Sequence, residues 1–143
     1  MKKALLILTI ITGLIAFSNN KLQAQATADE LMDGFFTIFD EDVNQAIDYL
    51  FATNPLIDNK QAGIKAIKER LELSRKLLGN FYGWELVSIY HAGDSYAKYI
   101  YSLKYERQPV KFEIVLYKAN NTWKVQNVNF QDDIETEFRL INE

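Results

Sequence analysis

Residues 95–105 read Ser-Tyr-Ala-Lys-Tyr-Ile-Tyr-Ser-Leu-Lys-Tyr, so four phenols and two ammonium groups fall within eleven positions. A phenol offers an aromatic face and a hydroxyl that donates and accepts. It suits lining a ligand pocket, an adhesive surface, or the filling of a sheet. Acid–base catalysis would need a partnered base beside it. His91 is the single histidine and there is no cysteine. One imidazole without thiolates is a weak basis for a zinc or iron site or a catalytic triad, and His91 is read as a rim or turn residue. The absence of cysteine excludes disulfides, thiol catalysis and lipid attachment at a lipoprotein cysteine. Asp132, Asp133, Glu135 and Glu137, set around Ile134 and Phe138, lack the glycine-containing spacing of a calcium loop. They are read as a solvated acidic tail, either a last helical turn or a loose end. Asn120-Asn121-Thr122 has the form of a glycosylation acceptor and is read as turn chemistry. No glycine loop that would cradle phosphate is present, so no cofactor and no metal are expected.

The chain opens with Lys2 and Lys3, continues with apolar residues at 4–17, and reaches the small-residue pattern Ala24-Gln25-Ala26. That order is the pattern of a secretory signal peptide, and the apolar run is shorter than the ~20 residues a membrane-spanning helix requires. The expectation is cleavage after Ala26 and export to the periplasm or beyond the cell, with a retained anchor as the alternative. Residues 27–143 then form a single domain of ordinary size, able to bury a core without metal or disulfide. The 16 basic and 19 acidic residues give a net charge of −3. Loss of Lys2, Lys3 and Lys21 makes the domain more acidic still. A chain without a basic cluster is a poor partner for nucleic acid. After cleavage no membrane association is expected.

The phenols must be positioned by a fold, and the periodicity supplies one. Thr27 and Glu30 have the spacing of a capping box, followed by Leu31, Phe35 and Phe39 on one stripe, a first helix to about Asp40. Asp42 and Gln45 repeat the cap before Ala46, Ile47, Leu50 and Phe51, and this second helix must stop before Pro55. A third start at Asp58 with Gln61 leads into Ile64, Ile67, Leu71, Leu78 and Phe81, with Leu73 and Leu77 widening the stripe and Gly79 placed to end it. After Gly83 the period becomes two, with strands at 84–91, 95–106, 109–118 and 123–130.

Register follows from the turns. A loop at Arg107-Gln108 pairs Leu103 with Phe112, Tyr101 with Ile114 and Tyr99 with Leu116. A turn at Asn120-Asn121 sets Leu116 beside Val125 and Lys118 beside Trp123, after which the apolar phase slips, as a β-bulge near Gln126 or Asn127 would produce. The predicted fold class is α+β: three N-terminal helices packed on a curved four-stranded antiparallel sheet, the long third helix lying across it. Tyr99, Tyr101 and Tyr105 fall on the core side with Phe112 and Trp123, where they either pack or line a ligand cavity. On the opposite face Ile100 pairs with Val115 and Lys98 with Tyr117, with Tyr96 nearby and Lys104 and Lys111 at the border. Such an apolar strip suggests a cover, either a second copy, giving a homodimer, or the C-terminal tail; the alternative is isolated surface aromatics that need no explanation.

Three helices followed by four long strands, the Phe81-Tyr82-Gly83-Trp84 passage, the hairpin YERQPVKF and the closing WKVQNVNF together resemble the cystatin-like, nuclear transport factor 2-like superfamily, in particular its exported bacterial members. The resemblance covers most of residues 28–130 and implies a cone-shaped cavity between helices and sheet. The family's full form inserts a hairpin between the second and third helices. Here residues 52–59 leave room only for a bend, which would leave one end of the cavity open. Ketosteroid isomerases of the superfamily place a carboxylate base and hydrogen-bond donors inside the cone. The interior positions of residues 97–105 and 110–116 hold no Asp or Glu. The expected function is therefore a non-catalytic exported domain binding a small apolar ligand or a protein partner. The alternative is a lyase or isomerase using Tyr99, Tyr101 and His91.

Overall fold

The computed structural model describes residues 26–131, apart from the side chains at positions 58 and 59. The expected leader up to Gln25, the acidic tail from Asp132 and the capping role of Asp58 lie outside the described residues and side chains. Helix α1 (Ala28–Glu41) starts at the expected capping box. The Thr27 backbone N–H donates to Glu30 Oε2 at 2.7 Å and the Glu30 N–H donates to Thr27 Oγ1 at 3.2 Å. Asp42 ends α1 and caps α2 (Val43–Ala52), accepting from the Gln45 N–H at 2.9 Å. Pro55 then opens a 3-10 helix, Pro55–Lys60, so α3 (Gln61–Leu78) begins later than a start at Asp58 would give. Gly79, at φ 81°, ends α3 where expected, in a conformation that favours glycine.

Strands β1 (Phe81–His91), β2 (Tyr96–Tyr105), β3 (Pro109–Tyr117) and β4 (Lys124–Gln131) form one antiparallel sheet in that order. The class is α+β, helices first and strands after. The β2–β3 register corrects the expected one. Tyr101 faces Phe112, Tyr99 faces Ile114 and Leu103 faces Val110, each two residues from the expected partner. Parity is unchanged, so each side chain keeps its assigned face. The slip has a visible cause. The Glu106 N–H bonds Asn80 O at 2.9 Å and the Arg107 N–H bonds Leu78 O at 3.0 Å, so the end of α3 holds the loop that would otherwise close a two-residue turn. In β4 the expected pairing of Leu116 with Val125 is present, and the register shifts so that Val115 meets Asn127. Gln126 is thus the bulge, one of the two positions the apolar phase indicated. Bulges also interrupt β1, one of them beside Gly83 at φ 103°.

The core lies between α1 and the inner face of β2 and β3. Phe35 stacks on Phe112 with ring centroids 5.6 Å apart, Phe39 lies 5.9 Å from Phe112, and Phe36 meets Tyr101 edge-on at 4.5 Å. The ring contacts between helix and sheet therefore come from α1, while α3 brings Ile64, Leu71 and Leu78 to the same core. Leu73 and Leu77 do not widen that stripe. Both are exposed, because at 3.6 residues per turn they project roughly 160° and 120° away from Leu71. Across the helices, Lys68 of α3 pairs with Asp48 of α2.

Candidate functional site

Strand β1 is an edge, and the helices cover its inner side only in part. Trp84 pairs with Leu103 and Leu86 with Tyr101, so both side chains share the inner face with Tyr99 and Tyr101. Both remain exposed. Facing them, one edge of α1 presents Asp29 and Asp33 one turn apart, beside Met32 and Phe36. These eight residues enclose a cleft of about 280 Å³. It lies where α1 passes the open edge of the sheet.

Its wall is aromatic. Phe36 stacks on Trp84 at 4.6 Å and 10° between planes, and Tyr99 stacks on Tyr101 at 6.3 Å and 9°. The two phenols differ in their hydrogen bonding. The Tyr99 hydroxyl donates to Asp29 Oδ1 at 2.7 Å. The Tyr101 hydroxyl has no hydrogen-bond partner among the described residues, although the residue is only 5% exposed. Burial pushes the Tyr99 phenol well above its ordinary pKa, reinforced by the hydrogen bond to Asp29 and that residue's charge. Burial does the same to Tyr101, aided by the carboxylates of Asp29 and Asp33. Both groups are neutral phenols at physiological pH.

Of the expected cavity residues, the fold brings Tyr99 and Tyr101 into this cleft and leaves the others outside it. Tyr105 lies at the far end of β2 against Phe81, 5.2 Å away. Burial raises its phenol against the lowering pull of Arg75. Phe112 is fully buried between Phe35 and Phe39. Trp123 is half-buried beyond β3, with Lys118 Nζ 4.8 Å from its ring centre. His91 is exposed at the end of β1 and is not part of the cleft wall.

The outer face is also re-paired by the two-residue slip. Ile100 meets Glu113 and not Val115, and Lys98 meets Val115 and not Tyr117. Tyr117 instead faces Tyr96, and the two are 42% and 37% exposed. Val115 is half-buried, whereas Ile100 is 1% exposed although it belongs to the face turned away from the helices.

Asp29, Asp33, Trp84 and Leu86 are the site residues that strand parity missed. Strands β2 and β3 hold no acid on their inner positions, as the sequence implied, but α1 delivers two carboxylates to the same space. Their spacing of four on one helix edge was the available signal, obscured because residues 27–30 also read as a cap. Among the described residues no group of three or more His, Asp or Glu is gathered to hold a metal, and no helix is long and apolar enough to cross a membrane. Comparison of the chain with known protein families, curated proteins and solved structures finds no match.

Proposed function

We propose that the chain is an exported, non-catalytic binding domain of the nuclear transport factor 2-like kind, taking a small ligand with an apolar body in the cleft between α1 and β1. The observation that carries this reading is the exposed wall of Trp84 and Leu86, which faces inward on a concave surface beside buried Tyr101. Exposed aromatic area scattered over a convex surface needs no explanation, but area gathered in a concavity of ~300 Å³ is the usual form of a small-molecule site. 2-Phenylethanol is a suitable neutral probe. Its titration should perturb the Trp84 indole N–H resonance and leave that of Trp123 in place, and Leu86→Asp should abolish the response while the melting temperature holds. A response confined to Trp123, or none, would retire the cleft.

The proton-transfer reading, a lyase or isomerase, draws on the Asp29–Tyr99 hydrogen bond. It is the weaker of the two because both carboxylates stand on the water-exposed surface of α1, where nothing keeps a base dry. We also propose that a second copy of the chain pairs through the Tyr96–Tyr117 strip of the outer face. Ile100, already withdrawn from solvent within one chain, contributes nothing to that contact.

A further inference from the structure

We infer that the ligand of the α1–β1 cleft is a protonated primary amine carried on an apolar or aromatic body; this rests on the cleft being a ligand site. The starting point is the Tyr101 hydroxyl. It belongs to a residue 5% exposed, it borders the cleft, and no described residue hydrogen-bonds it. With no partner among the described residues at the edge of the cleft, this hydroxyl is free to bond a polar group of a ligand.

The surroundings specify which polar group. Asp29 uses Oδ1 to accept from Tyr99, which leaves Oδ2 open. Asp33 forms no ion pair or hydrogen bond through its carboxylate among the described residues. No Lys, Arg or His lines the cleft. An ammonium carries three N–H donors and no acceptor, and Asp29 Oδ2, Asp33 and the Tyr101 oxygen are three acceptors. Trp84, the exposed ring of the wall, adds the negative potential that attracts a cation. A carboxylate or phosphate ligand would instead meet two like charges. A bare divalent cation would find two carboxylates, fewer than the oxygen ligands such ions take, beside an apolar wall. A volume of about 280 Å³ holds roughly nine groups the size of a water molecule, enough for one ring and a short aminoalkyl arm.

The test compares 2-phenylethylammonium, 2-phenylethanol and phenylacetate, matched in size and differing in charge, by calorimetric titration of the exported protein at pH 7. The amine is expected to bind about tenfold tighter than the alcohol, with phenylacetate weakest and the advantage shrinking as salt is added. Asp33→Asn should remove most of that advantage. Tyr101→Phe should weaken the amine, and unchanged melting temperatures would show that both variants fold. Equal binding of amine and alcohol, or an Asp33→Asn variant that still prefers the amine, overturns the amine assignment while the cleft stands. If none of the three probes binds, the cleft reading itself fails.

Discussion

Tyr99 and Tyr101 lie two residues apart on β2, on one face, with rings stacked, yet one hydroxyl is spoken for and the other is not. The difference comes from the helix above them, which sets Asp29 within reach of Tyr99. Their raised pKa values also make an alkaline prediction. The fold favours the protonated phenol, so its contribution is intact below the unfolded phenol's value of ~10 and is lost as pH rises beyond it, when the unfolded chain releases protons that the folded chain keeps. The melting temperature should therefore fall above pH ~10, and part of the phenolate absorbance should appear only on unfolding. Tyr99→Phe and Tyr101→Phe should each flatten the fall. Ionisation of all eight tyrosines in one reversible step with the fold intact would contradict this account.

At the level of elements, the end of α2 clasps the edge of β4. The Val125 N–H donates to Thr53 Oγ1 at 2.9 Å, and its carbonyl accepts from Asn54 Nδ2 at 2.8 Å. Lys60 Nζ reaches the carbonyl of the bulged Gln126 at 3.2 Å. The outward groups of an edge strand are thereby satisfied just before it bends, which also blunts the edge against pairing with another chain. Asn54 is buried, so Asn54→Ala should leave the Val125 carbonyl without its donor and cost about 1–3 kcal/mol, read as a lower urea midpoint at unchanged slope. A midpoint equal to that of the parent would show that the clasp carries no stability. The capping boxes and the Gln126 bulge were legible because each depends on neighbours in sequence. The clasp and the two-residue slip of the β2–β3 pairing were not. Both depend on backbone groups of a distant element, Val125 with α2 and Arg107 with the end of α3.

Two predictions concern the whole molecule. If the leader is cleaved after Ala26, the protein isolated from its host begins at Thr27, and its intact mass reports this directly. A mass that retains residues before Thr27 would contradict the assigned processing site. The proposed homodimer is tested by sedimentation of the Tyr117→Lys variant. It should convert a dimer to a monomer because a buried unpaired ammonium would face Tyr96 across the contact. An unchanged sedimentation coefficient would retire this face as the interface.

Amphipathic period, caps, glycine stops and strand parity are local, and from them the residues alone determined an α+β class, the order of its elements and the face taken by each side chain of β2 and β3. What only the tertiary structure decided is which helix edge passes over the open side of β1. That placement follows from the packing of Phe35, Phe36 and Phe39 onto Phe112 and Tyr101. It carries Asp29 and Asp33 to two phenols some seventy residues away in sequence. A period states which side of a helix is apolar, but the neighbour of its polar edge is set by long-range contacts that no window of sequence contains.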